Sequence, residues 1–154
     1  MENINPNDIR LSAMNLLARR EHLQSELRQK LTRRFGEAQA PAVDAVLLSL
    51  AEENLQSDQR YLESYIRQRS ARGYGPLRLR QELRQKGVNA EALEDGLAAA
   101  QADWFALARE ARLKKFGNDM PADFKEKARQ MRYLLYRGFS NEQASAALDG
   151  DGYC

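Results

Sequence analysis

The chemistry open to this chain begins with its cations. Of 24 basic side chains, 18 are arginine and 6 are lysine, a bias toward the planar guanidinium, which holds a phosphate or carboxylate through two hydrogen bonds at once. Twelve of them fall in three groups at helical spacing: Arg28, Lys30 and Arg33; Arg78, Arg80, Arg84 and Lys86; and Lys125, Lys127, Arg129, Arg132 and Arg137. Such groups suit the gripping of a polyanion. Other chemistries lack the residues. One histidine, His22, and one cysteine, Cys154, cannot furnish a zinc site or a Cys/His catalytic pair. Gly73-Tyr74-Gly75-Pro76 lacks the glycine spacing and the lysine-serine ending of a phosphate loop, so it reads as a helix break. Asp149-Gly150-Asp151-Gly152 has no downstream glutamate to complete a calcium loop. No catalytic residue, no metal and no cofactor is expected, and the chain reads as a binding protein rather than an enzyme.

The elements that carry these cations repeat. Glu26-Leu27-Arg28-Gln29-Lys30 recurs as Glu82-Leu83-Arg84-Gln85-Lys86, and Leu83, Lys86, Gly87, Val88 and Leu97 are matched 51 positions later by Leu134, Arg137, Gly138, Phe139 and Leu148. Val43 and Leu47 match Leu93 and Leu97 at an offset of 50. The six extra residues of the first unit are assigned to a loop through Phe35-Gly36-Glu37-Ala38-Gln39-Ala40-Pro41. Each unit then reads as three helices, giving an all-α, elongated and curved array of three tandem helix-turn-helix-like repeats over 1–55, 56–100 and 101–154.

Apolar spacing supplies the inner rows. They are Ile9, Ala13, Leu16 and Leu17, then Leu27 and Leu31, then Val43, Val46, Leu47 and Leu50 in the first unit. The second has Tyr61, Leu62, Tyr65 and Ile66, then Leu79 and Leu83, then Leu93 and Leu97. The third has Trp104, Leu107, Ala108 and Ala111, then Phe124, Ala128, Met131 and Leu135 on a helix opened by Pro121, then Ala144, Ala147 and Leu148. Ser57 or Asp58, Asn89 and Ser140 are placed to cap helices, and Gly73, Gly87 and Gly138 to end them. No segment alternates with a period of two, so strands are not expected.

Net charge is only +2, but it is unevenly spread. Residues 10–36 carry +5 and 37–58 carry −5; 59–90 carry +6 and 91–104 carry −4; 105–139 carry +5 and 140–154 carry −3. The first two helices of each unit are therefore basic and the third acidic, and in a repeat array equivalent helices can align their charges into one stripe. The plain alternative is that basic helices pair with the acidic third helices of their own units, as surface charges commonly do. Tyr74 and Tyr136 lie beside the basic rows and could stack on bases, although half-buried packing tyrosines are the expectation. His22 is expected to cap or pack near a helix start.

Mean hydropathy is −0.70 and 30% of residues are charged, which favours exposed, charged helices over strands or membrane spans. The opening MENINPNDIR has no basic run followed by an apolar stretch, so a cytoplasmic location is expected. A lone cysteine excludes an internal disulfide framework.

Several segments resemble the RecX family in order along nearly the whole chain. They are Leu17-Ala18-Arg19-Arg20-Glu21-His22, Glu26-Leu27-Arg28-Gln29-Lys30-Leu31, Ser57-Asp58-Gln59-Arg60-Tyr61, Gly73-Tyr74-Gly75-Pro76, Glu82-Leu83-Arg84-Gln85-Lys86-Gly87, Asp103-Trp104, Lys115-Phe116-Gly117 and Tyr136-Arg137-Gly138-Phe139-Ser140. Leu23 and Gln24 depart from the serine and basic residue usual after the histidine, which puts the capping of that helix in question. A monomer is expected, and the resemblance implies a regulator that binds the RecA filament in its groove. It implies lowered ATPase, strand-exchange and coprotease activities of RecA, weaker sequence-independent contact with single- and double-stranded DNA, and no membrane partner. The alternatives are a DNA-binding helical-repeat protein without RecA preference, and a scaffold whose charges are internal pairs.

Overall fold

The computed structural model describes residues 4–149, which form nine α-helices and one 3-10 turn without a strand. The chain divides into two compact units, 1–64 and 65–154. The tail 150–154, with Cys154 and most of the candidate calcium loop, lies outside the described residues.

In the first unit, α1 (Pro6–Arg19), α2 (Gln24–Phe35) and α3 (Ala40–Glu52) pack against one another. Ile9, Ala13, Leu27, Leu31, Val43, Leu47 and Leu50 bury their side chains in a shared core, with Leu16 and Leu17 at its margin. Full burial of each of the larger aliphatic side chains stabilises the unit by roughly 1.5–3 kcal/mol before entropy is subtracted. The six-residue insertion is not a plain loop. Gly36 ends α2 at φ +100, a 3-10 turn runs Glu37–Gln39, and α3 starts at Ala40 with Pro41 in its first turn, where a missing N–H costs nothing.

The start of α2 shows how the departure at Leu23 and Gln24 is accommodated. Leu23 has no side-chain acceptor, so the Glu26 carboxylate takes its N–H at 3.0 Å, and the Asp58 carboxylate takes the Gln24 N–H at 2.9 Å. Asp58 therefore caps α2, while Ser57 Oγ accepts the Arg60 N–H at 3.2 Å to cap α4 (Asp58–Ala71). The buried Gln56 amide donates to the His22 carbonyl at 3.2 Å and to Asp58 at 2.8 Å.

His22 is fully buried, and its tautomer follows from its neighbours. Nδ1 faces the Arg20 carbonyl at 3.1 Å and must donate, which leaves Nε2 to accept from Lys30 Nζ at 3.1 Å. Burial pushes the imidazole below its usual value, the Arg20 carbonyl and the Glu26 charge oppose this, and the charges of Arg20 and Lys30 add to it. An unfolded chain binds the proton more readily, so the stability contributed by neutral His22 is complete above about pH 6.5. It is lost as pH falls from there through the lower folded value. An NMR titration of this single imidazole should show a midpoint below the unfolded value; a midpoint at or above it would contradict the assigned network.

In the second unit, α5 (Pro76–Gln85) packs on α6 (Ala90–Ala100), and α7 (Trp104–Phe116), α8 (Phe124–Tyr136) and α9 (Asn141–Leu148) pack together. Leu79, Leu83, Leu93 and Leu97 are buried, as are Ala108, Ala111, Leu134, Phe139, Ala144 and Ala147. Asn89, Asp103, Asp123 and Ser140 each accept a first-turn N–H, and Gln143 completes a reciprocal cap with Ser140.

The expected inner row of α8 is incorrect. Pro121 does not open the helix; Asp123 caps it and Phe124 begins it. Phe124 is 86% exposed and Leu135 38%, while Gln130 and Leu134 face inward beside half-buried Met131 and Tyr133. The rotation answers to α7. Arg112, only 3% exposed, needs acceptors, and its Nη1 finds the Gln130 amide oxygen at 3.4 Å and the Asp119 carbonyl at 3.3 Å. Gln130 in turn donates to Glu126 at 3.1 Å. Gln130→Ala strips a buried charge of an acceptor and should cost about 1–3 kcal/mol in urea unfolding. A loss below about 0.5 kcal/mol, the level of an unremarkable surface change, would show that Arg112 is satisfied without it.

Candidate nucleic-acid interface

The twelve candidate cations do not share one environment. Five have a carboxylate partner: Arg28 with Asp44 at 2.7 Å, Arg78 with Glu82 at 3.4 Å, Arg80 with Glu94 at 2.9 Å, Lys127 with Asp149 at 3.5 Å, and Arg129 with Glu126 at 2.7 Å. The pairing recurs between units, because Asp44 and Glu94 hold equivalent positions on α3 and α6, and each reaches the preceding basic helix. Internal pairing was the plain alternative to a binding stripe, and it accounts for part of the charge pattern. Glu126 is held down at about 2 by hydrogen bonds from Arg129 and Gln130. Glu94 is lowered by its bond from Arg80, with the Arg84 charge adding to the effect.

These pairs are weak enough to exchange. Arg28 and Asp44 keep 50% and 53% of their side-chain surface exposed, and Lys127 and Asp149 keep 49% and 52%. Pairs at that exposure contribute about 0–1 kcal/mol, so a phosphate with better geometry can take the cation over. Arg33, Arg84, Lys125 and Arg132 are exposed and make no ion pair among the described residues. Lys30 serves His22, and Lys86 lies 5.8 Å from the Tyr65 ring centre. In the first unit Arg28 and Arg33 border an open cleft of about 490 Å³ on the outer side of α2, with Ser25, Gln29, Thr32 and Glu37.

Arg137 differs from the rest in pointing into the protein. Its guanidinium donates to the carbonyls of Gly73, at 3.1 Å, and Arg72. It also lies 3.8 Å from the Tyr74 ring centre, and the Arg69 guanidinium lies 3.8 Å from the same ring. Tyr74 is thus packed between guanidinium groups. Its packing role holds, whereas Tyr136 is 74% exposed and does not fit the half-buried expectation.

Two loops are clasped at this point. The Gly75 N–H donates to the Arg137 carbonyl at 2.8 Å, and the Leu77 N–H to the Gly138 carbonyl at 2.9 Å. The approach demands glycine on both sides: a Cβ on Gly75 would stand 2.5 Å from Gly138 O and Phe139 N, and one on Gly138 would stand 2.7 Å from Arg78 N. Arg78 seals the clasp by donating to the Tyr136 carbonyl at 3.3 Å and lying 4.7 Å from the Tyr74 ring centre and 5.2 Å from that of Tyr136. Sequence reasoning named both glycine segments but did not pair them. The available signal was that a glycine closely follows a tyrosine in both segments, as Tyr74-Gly75 and as Tyr136-Arg137-Gly138.

Glu82 lies beneath the clasp, accepting from Tyr65 at 2.7 Å and Arg69 at 2.7 Å. Burial alone would raise its carboxyl, but those bonds, the Arg69 charge and Arg78 hold it below the usual range. Sequence reasoning left Tyr65 with the core and gave Arg69 and Glu82 no role.

Two family models match this chain: the second three-helix domain of RecX over residues 57–97, and the third three-helix domain of RecX over residues 101–148. Regulatory protein RecX of Pseudomonas entomophila (strain L48) is 45% identical over 147 residues, which cover 94% of this chain and 92% of that protein. This chain belongs to the RecX family. Regulatory protein RecX of Halorhodospira halophila (strain DSM 244 / SL1) is likewise 45% identical over 146 residues, covering 93% of this chain and 89% of its own. Among solved structures, RecX from Lactobacillus salivarius superposes with a TM-score of 0.75 at 19% identity, over 94% of this chain and 95% of that one. The family assignment, made first on ordered motifs, therefore holds, and so does the all-helical RecX fold. No helix among the described residues is long and apolar enough to cross a membrane.

Proposed function

We propose that this RecX-family chain is a non-enzymatic, cytoplasmic regulator that binds the RecA nucleoprotein filament in its groove and lowers the ATPase, strand-exchange and coprotease activities of RecA. It thereby restrains recombinational repair and the SOS response. The observation that carries this reading is the identity of 45% across 94% of the chain to proteins named regulatory protein RecX. The exposed, exchangeable cations of α2, α5 and α8 support it, because they present guanidinium and ammonium groups to DNA phosphates and acidic protein surface together. The chain acts as a monomer without a cofactor. Its functional units are three repeats over 1–55, 56–100 and 101–154, whose basic segments are Arg28-Gln29-Lys30 on α2, Arg84-Gln85-Lys86 at the end of α5 and just beyond it, and Lys125–Arg137 along α8 and just beyond it.

The test is ATP hydrolysis by RecA assembled on single-stranded DNA, followed as this chain is added. Hydrolysis should fall with increasing chain, and co-sedimentation should place the chain on the filament. No binding and no change in hydrolysis would reject the proposal. Equal affinity for naked DNA and for the filament would instead favour a DNA-binding protein without RecA preference.

A further inference from the structure

Beside the clasp lies an open groove of about 440 Å³, walled by α5 and the end of α8. Its apolar surface comes from Leu77 and Leu135, which are 50% and 38% exposed, and from the ring of Tyr136. Gln81 and Gln85, four residues apart on α5, bring amide donors and acceptors to its other wall. The Glu82 carboxylate also borders it, but Arg69 and Arg78 already answer that charge.

Everything at this spot is suited to a flat heteroaromatic ring. The Tyr136 ring belongs to a residue 74% exposed and carries the Arg78 guanidinium over it, 5.2 Å from its centre, and an exposed aromatic ring is a stacking platform that accepts any base. Amide side chains match the mixed donor and acceptor edge of an unstacked base. Arg84 lies three residues beyond Gln81 and Arg132 four before Tyr136, so both exposed cations sit one turn from the groove on its two walls. A duplex cannot use this arrangement, because its bases are already stacked.

We propose that this groove takes one unstacked nucleobase of single-stranded DNA, laid against Tyr136 with its edge toward Gln81 and Gln85, while Arg84 and Arg132 meet the flanking phosphates. The inference rests on the DNA contact of the proposed function and gives it a residue-level site. The glycine clasp is what fixes this platform: Gly75 and Gly138 hold the end of α8 against the start of α5, and Tyr136 is the last residue of α8.

The test is the anisotropy of a labelled oligothymidylate and of a labelled duplex with wild type, Tyr136→Ala and Tyr136→Phe. Stacking lost by Tyr136→Ala should weaken single-strand binding about tenfold and leave duplex binding unchanged, and Tyr136→Phe should retain wild-type affinity. An abasic oligomer of the same length should bind wild type no better than it binds Tyr136→Ala. Circular dichroism melting of Tyr136→Ala should match wild type, since the ring is exposed. The inference is overturned by unchanged single-strand affinity, by an equal loss on duplex, or by wild type that binds no single strand. Loss of RecA inhibition with single-strand affinity intact would likewise overturn it, placing a protein segment in the groove. Wild type that leaves RecA unaffected while Tyr136→Ala still loses the single strand would retain the base site and reject only the RecA reading.

Discussion

Gly138→Ala should be among the most damaging single substitutions in the second unit, lowering its stability by about 2–5 kcal/mol. Two costs add. Gly138 has φ +103, and a residue with a Cβ held in that region costs about 1–2 kcal/mol. The new methyl would also press on the Arg78 side chain and backbone, with the Arg78 nitrogen 2.7 Å away, and forced overpacking typically costs about 1–3 kcal/mol. Neither obstacle is the free end of a long side chain, so neither yields cheaply. Gly36→Ala is the control, because Gly36 has φ +100 with nothing within 4 Å of the added Cβ; it should lose only the conformational part. Urea unfolding gives the magnitudes, and amide hydrogen exchange at Gly75 and Leu77 locates the damage. Equal losses in the two variants would mean that the clasp contributes no steric constraint of its own.

Replacing Arg80, Arg84, Arg129 and Arg132 together with glutamine should abolish inhibition of RecA at concentrations where wild type inhibits fully, while the melting temperature stays near that of wild type. The fold survives because only Arg80 and Arg129 have carboxylate partners, at 33% and 56% side-chain exposure, and such pairs contribute about 0–1 kcal/mol each. Binding fails because each lost phosphate contact flattens the dependence of log affinity on log salt by about 0.9 on duplex and about 0.7 on single-stranded DNA. Four losses therefore flatten it by roughly 3. A variant that melts several degrees lower yet inhibits normally would assign these arginines to a scaffold of internal pairs.

The fold was legible where local pattern and repeat agreed. Leu27, Val43, Leu47, Leu83, Leu93 and Leu97 satisfy both helical spacing and the correspondence between units, and all are buried. It failed where they conflicted. The match of Leu83 to Leu134 pointed to the inward face of α8, but apolar spacing from Phe124 favoured Leu135, and Leu134 is the buried one. A polar residue in the core row, Gln130, concealed the true register, since its burial depends on an acceptor-seeking arginine from another helix. Pro121 misled because proline suits a first turn but does not require one, and the Asp123 side chain supplied the stronger start.

The site was legible as a set of charges rather than as an arrangement. Sequence counts acidic and basic residues correctly but cannot assign partners, so the Arg28–Asp44 and Arg80–Glu94 pairs emerge only with the helices in place. Arg137 belonged by type to the exposed row, yet carbonyls from a loop more than sixty residues away draw it inward. Tyr136 was misassigned for the converse reason: nothing in a Tyr-Arg-Gly segment reveals that the ring faces water.

The central claim is that this chain grips a polyanionic RecA filament through exposed cations, and its affinity for filaments on single-stranded DNA across a series of potassium chloride concentrations tests that most directly. The expected plot of log affinity against log salt is a straight line with a slope of about −3 or steeper, flattened toward zero in the four-arginine variant. A slope near zero for the wild-type chain would mean that its cations are not what holds the filament.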